Sequence, residues 1–217
     1  MSAIRPLAAC LFLALTGQAA TAQITPEDLK KQIDARTDTL SGFQQLLEDP
    51  DPRRSLAAME GMLASGDPNV EHMAMEFGLT NPDPMIRTAA LNAYMAKLPP
   101  IAVDFDASAL PDEQLEQLAK ILRATGGSIG PDKKGSFSFQ AGPFNEGQGC
   151  FPHASSSRVC AMRVGTGSLS LYFSGTNVSG RWVNLHADET GQLKGGISLN
   201  YGSEPDIALP LAVRLLN

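Results

Sequence analysis

The sequence predicts an α+β protein: a short helical-repeat region followed by a small antiparallel β-sandwich or barrel. Three observations carry this. An Asp-Pro pair recurs every 16 residues, at Asp51-Pro52, Asp67-Pro68 and Asp83-Pro84. Apolar and polar residues alternate in several segments after about residue 135. The composition also changes near Gly130: residues 23–130 carry a net charge of −8, residues 131–217 a net charge of +1.

The chain as a whole bounds the reading further. It has 217 residues, 43% hydrophobic and 18% charged, which is enough apolar chain to bury a substantial core and too much for full-length disorder. Gly is not periodic and there are only three Cys, so neither a collagen-like nor a disulfide-framework protein fits. The net charge of −6 argues against nucleic acid as a partner, because that task calls for a basic stripe.

Residues 1–22 read as a secretory signal. Arg5 supplies the positive start, Leu7 to Leu15 the apolar run, and Ala20-Thr21-Ala22 the cleavage site before Gln23. The run is too short for a membrane anchor, which needs about 20 apolar residues. Leu7-Ala8-Ala9-Cys10 has the look of a lipoprotein box, but most of the apolar run follows it rather than precedes it. No later stretch approaches transmembrane length, so the expected location is periplasmic or secreted. The sequon at Asn177 is incidental in a bacterial-type exported chain.

A helix is expected from Pro26 to about Leu47, with a break at Ser41-Gly42. The three Asp-Pro units follow. Asp caps a helix by accepting from its unpaired first N–H groups, and Pro is pre-set for the first helical position. An interval of 16 accommodates about three helical turns and a short connection. The internal register repeats: Ala58, Ala74 and Ala90 share one position, and Met59, Met75 and Leu91 the next. Val70, Met73, Ala74 and Phe77 form a buried stripe at i, i+3, i+4, i+7, as do Ile86, Ala89, Ala90 and Ala93.

The stretch Asn81-Pro82-Asp83-Pro84-Met85-Ile86-Arg87-Thr88-Ala89-Ala90-Leu91 resembles the start of the second helix of a HEAT-type repeat, and the resemblance extends over about residues 49–98. It implies a scaffold that binds proteins or peptides and does no chemistry of its own. A small bundle that uses Asp-Pro caps is the structural alternative.

Pro99-Pro100 ends the repeats, Ile101 to Phe105 reads as a short strand, and Asp112 to Ala124 as an amphipathic helix entered through Pro111 at its first turn. The cluster Gly126-Gly127-Ser128-Ile129-Gly130-Pro131 marks the boundary between a helical domain, 23–130, and a β domain, 131–217. In the second part Phe137 and Phe139, then Leu169, Leu171 and Phe173, then Val183, Leu185 and Ala187 alternate with polar residues. Ile207, Leu209, Leu211, Val213 and Leu215 do the same. Alternation means one buried and one wet face. Pro210 points to an edge or bulged position. Gly165-Thr166-Gly167-Ser168 sits between two strands and reads as a hairpin turn rather than a phosphate loop.

Cys150 and Cys160 are expected to form a disulfide in an oxidising compartment, contributing roughly 2.5–3 kcal/mol by loop closure. The competing reading is a zinc site from Cys150, His153, Cys160 and His186.

Catalytic motifs of the common kinds are absent, and the pattern implies no cofactor. Asp104-Phe105-Asp106-Ala107-Ser108 begins like a calcium loop, but Ala109 and Leu115 occupy the places of its Gly and bidentate Glu. Met59, Met62, Met73, Met75, Met85 and Met95, with His72, raise periplasmic copper handling, since soft thioethers suit Cu(I). Core filling is the alternative, with Met73 on the buried stripe and His72 and Met75 away from it.

The strongest surface candidate is the strand at 181–188. Its wet face presents Trp182, Asn184, His186 and Asp188, with Tyr172 on the preceding strand. Aromatic planes beside amide and carboxylate groups are the chemistry that holds a sugar ring. The alternative is that Trp182 packs against the helical part as interdomain glue. The expected function is an exported, non-catalytic envelope protein that binds another envelope protein as an adaptor. A glycan or small-ligand module on the 181–188 face is the first alternative, and copper handling the second.

Overall fold

The computed structural model describes residues 24–175, 178–199 and 207–215. Arg5, Cys10, the cleavage site before Gln23, and Asn177 lie outside the described residues.

Helix α1 (Pro26–Leu47) runs through Ser41-Gly42 without the expected break. Gly42 meets nothing within 4 Å, and a single glycine in an exposed helix costs only about 1 kcal/mol. Residues up to Thr39 form a unit of their own, and Leu40 onward belongs to a second unit with the rest of the chain. In that second unit Leu47 is buried, with Leu40 and Phe43 half-buried against the core.

Helices α2 (Pro52–Leu63), α3 (Pro68–Thr80) and α4 (Pro84–Ala96) share one plan. Each begins on Pro, and the Asp before it is extended. Asp51 accepts from the Arg53 N–H at 3.0 Å, Asp67 from Asn69 at 2.9 Å and Asp83 from Met85 at 2.8 Å. The proline loses nothing by lacking an N–H there, since that donor has no intrahelical partner. Met59, Met62 and Leu63 of α2, Val70, Ala74, Met75 and Leu79 of α3, and Ile86, Ala90, Leu91 and Met95 of α4 are buried together. Met75 thus lies inside rather than away from the stripe. The reason is that α3 contacts both α2 and α4, so its buried face is wider than one stripe.

Among the described residues nine strands form one antiparallel sheet. They are β1 (Pro100–Asp106), β2 (Ser128–Ile129), β3 (Lys134–Gln140), β4 (Phe151–His153), β5 (Ser156–Gly165), β6 (Ser168–Gly175), β7 (Val178–Ala187), β8 (Leu193–Leu199) and β9 (Ile207–Val213). The spatial order is β2-β3-β1-β9-β8-β7-β6-β5-β4. Helix α5 (Asp112–Thr125) connects β1 to β2, with Pro111 at its N-cap rather than in its first turn.

The architecture is α+β, with a single curled sheet of half-barrel form in place of a sandwich. Phe173 of β6 makes edge contacts with Phe137 and Phe139 of β3, at 5.7 and 5.4 Å between ring centres, although four strands separate them in the order. The two margins also touch. Ala141 bridges His153, Gly142 N–H donates to Pro152 O at 2.8 Å, and Ala154 N–H donates to Gln140 O at 2.9 Å.

Strand β1 comes from the chain before residue 130, yet it pairs with β3 on one side and β9 on the other. The change in composition at Gly126–Pro131 therefore falls inside one sheet. Strand β9 is likewise interior rather than an edge. Pro210 pairs with Gly196 and lies one residue beyond the stretch that pairs with β1.

The β5–β6 turn is the expected two-residue hairpin. Gly165 pairs with Ser168, and Gly167 takes φ 64°, which a residue without Cβ adopts freely. Helix α4 clasps this hairpin: Gly167 N–H donates to Thr88 Oγ at 2.8 Å. Among the described residues no helix is long and apolar enough to cross a membrane.

Candidate functional site

Period two places the site. Val183 and Leu185 are buried in the curl of the sheet, so Trp182, Asn184 and His186 point outward, and all three are exposed. Leu169 and Leu171 are buried on β6, so Ser170 and Tyr172 share the outer face. The ladder sets these residues in rows. Tyr172 stands opposite Trp182, Ser170 opposite Asn184, and Ser168 opposite His186.

Tyr172 and Trp182 form a pair with ring centres 5.3 Å apart and planes at 51°. Arg163 joins them from β5, its guanidinium carbon 4.5 Å from the centre of the Trp182 ring. The register places Arg163 beside Ser170, so its side chain crosses β6 diagonally to reach the indole. The ring keeps 36% of its surface exposed. Its described ring partners both come from the sheet, and helix α4 meets the sheet at the β5–β6 hairpin instead.

Asn184 accepts from the Ser170 hydroxyl at 2.6 Å through Oδ1, which turns its Nδ2 donors toward other partners. His186 is exposed beside this pair, and its side chain shows no hydrogen bond among the described residues. Asp188 is differently employed. Its carboxylate accepts from the Thr190 N–H at 2.9 Å, the Thr190 hydroxyl at 2.7 Å and the Gln192 N–H at 3.1 Å, and it pairs with Lys194 at 2.8 Å. The Lys194 ammonium first, then Thr190, hold its pKa well below the usual carboxylate range. Asp188 builds the β7–β8 turn and has little capacity left for a ligand.

Two contributors, Arg163 and Ser170, were not among the residues expected from sequence. A signal for them existed: counting outward from the Thr166-Gly167 turn pairs residue 163 with 170. What counting cannot reveal is the diagonal reach of the arginine.

The other candidate sites fare as follows. Cys150 and Cys160 are bonded to each other with Cα atoms 5.8 Å apart, so they are not thiolate ligands and the zinc reading is overturned. Among the described residues no three His, Cys, Asp or Glu side chains group to hold a metal ion. Met59, Met62, Met75 and Met95 are buried in the helical core, Met73 is half-buried, and His72 is exposed. Asp104 and Asp106 lie on β1; Asp106 accepts from the Ser108 N–H at 2.9 Å, and Asp104 pairs with Arg214 at 3.3 Å. Between α2 and α4 runs a groove of about 770 Å³, lined by Leu56, Leu63, Met85, Ala89 and Ala93, with Met85 70% exposed.

No family model, curated protein or solved structure matches this chain. The likeness of residues 49–98 to HEAT-type repeats therefore rests on their own sequence pattern.

Proposed function

We propose that this is an exported, non-catalytic binding protein that holds a glycan on the outer face of β6 and β7. One observation carries the reading. The chain's single Trp stands exposed on that face, paired with Tyr172 and flanked by the donors of Asn184 and the ring of His186. An exposed aromatic pair offers a sugar its apolar stacking surface, and the adjacent amide and imidazole supply directed hydrogen bonds. Export is supported by the sequence of residues 1–22 and by the disulfide, and the mature chain is expected to begin at or near Gln23.

Because Trp182 is the only Trp, its fluorescence reports on this site alone. Titration with peptidoglycan fragments and polysaccharide oligomers should shift the emission saturably, and Trp182→Ala should abolish binding measured by calorimetry. Binding that survives Trp182→Ala unchanged removes this face from the function.

A second reading, an adaptor for another envelope protein, is favoured by the apolar groove between α2 and α4 and by the excess acidic charge of residues 23–130. A photoreactive residue at position 85 should then cross-link one envelope protein in a salt-sensitive way while glycan binding is unaffected.

A further inference from the structure

Arg163 deepens the glycan reading and rests on it. The face is nearly neutral: Tyr172, Ser170, Trp182, Asn184 and His186 surround the arginine. Among the described residues the carboxylate that follows β7 is Asp188, already neutralised by Lys194 and engaged by the turn it caps. Glu189 lies in that same turn, beyond the end of β7. Among the described residues the Arg163 side chain shows no ion pair or hydrogen bond, and its guanidinium lies over the Trp182 ring.

Stacking occupies the flat face of a guanidinium and leaves its N–H edges free. Those edges form a planar fork that matches a carboxylate in two parallel hydrogen bonds. Lying on the indole also orients the fork beforehand, which reduces the ordering cost on binding. A sugar stacked on the Tyr172–Trp182 pair would thus carry its ring substituents toward Arg163 on one side and toward Asn184 Nδ2 on the other.

We infer that the ligand is a carboxylate-bearing glycan of the uronate type, with Arg163 reading the carboxylate and the Tyr172–Trp182 pair holding the ring. The protein itself is acidic, with a net charge of −6, so general attraction to polyanions does not account for such binding. The preference is expected to arise at Arg163, the cation that lies over the Trp182 ring.

The experiment titrates the full mature chain with oligogalacturonate and oligoalginate, each as the free acid and as its neutral methyl ester, at an ionic strength of about 0.15 M. Calorimetry and Trp182 emission are the readouts. The acid form of at least one should bind about tenfold more tightly than its ester, the worth of one charge-assisted bidentate contact. Arg163→Gln should erase that difference between acid and ester, and Arg163→Lys should keep only part of it. Circular dichroism verifies that both variants fold, and either one suffices for the comparison. Equal binding of acid and ester overturns the inference and leaves the glycan reading standing. So does an acid preference that survives both substitutions. No binding of any of the four probes to the wild type overturns the inference and the glycan reading together.

Discussion

Trp182 lies directly opposite Tyr172 in the β6–β7 ladder, and the two rings meet 5.3 Å apart on the outside of the sheet. That placement separates two roles for the only Trp in the chain. As interdomain glue it would be enclosed by helices, and its truncation would cost about 3 kcal/mol or more. Instead it is partly exposed and bounded by Tyr172 and Arg163. Trp182→Ala is therefore expected to change unfolding free energy by no more than about 1 kcal/mol. Urea denaturation followed by circular dichroism measures this, and a loss near the larger value would restore the structural role.

Asp188 should matter to stability rather than to binding. Its pKa is lowered in the fold, chiefly by Lys194 and then by Thr190. A carboxyl with a depressed folded pKa stabilises the native state above its ordinary value of 3.8 and loses that contribution as pH falls below it. Asp188→Asn should melt at a lower temperature than wild type at neutral pH, and the gap should narrow as pH drops below about 4. Thermal melts across that range decide it. A gap that is constant with pH would mean the charge contributes nothing.

Local physics was legible in the sequence, and long-range geometry was not. Asp51, Asp67 and Asp83 announce their helices because a cap involves only the next three residues. The Thr166-Gly167 turn is equally self-contained, and alternation identified the inward and outward faces of β6 and β7. Strand β1 could be read as a strand, but nothing in its seven residues names β3 and β9 as partners. The curl that brings Phe173 onto Phe137 and Phe139 depends on the twist of the whole sheet. Met75 was misplaced because one helix's periodicity cannot show that neighbours pack on two of its sides. Within the site, the strand row was readable, while Arg163 depended on a side-chain path across β6.

The Cys150–Cys160 bond fastens an irregular margin of the sheet. Strand β4 has three ladder pairs with register shifts between them, and it forms the margin that touches Ala141. Without reductant, neither cysteine should be alkylated. Reduction should lower stability by about 2.5–3 kcal/mol and raise amide exchange around residues 141–154 before it affects β6 and β7. Ready alkylation of both thiols in the native protein would refute the bond, and uniform exchange across the sheet would refute its local role.

Gly78 tests how closely the helices approach, because two effects predict opposite signs. In a helix interior, Gly→Ala ordinarily stabilises by roughly 0.5–1 kcal/mol, since alanine has less backbone freedom to lose. At Gly78, however, a Cβ would lie 2.5 Å from the Ala90 Cβ and 2.7 Å from the Met59 sulfur. Met59 can adjust its flexible end, but Ala90 has nothing to rotate, so α3 and α4 must move apart. Overpacking of this kind costs about 1–3 kcal/mol and outweighs the entropic gain. Gly78→Ala should therefore destabilise, whereas Gly61→Ala, on α2 with nothing within 4 Å, should stabilise slightly. Adding Ala90→Gly to Gly78→Ala should recover part of the loss by removing the rigid contact. Chemical denaturation of the three variants reads the signs. A stabilised Gly78→Ala would show that α3 and α4 separate at Ala90 without loss of packing.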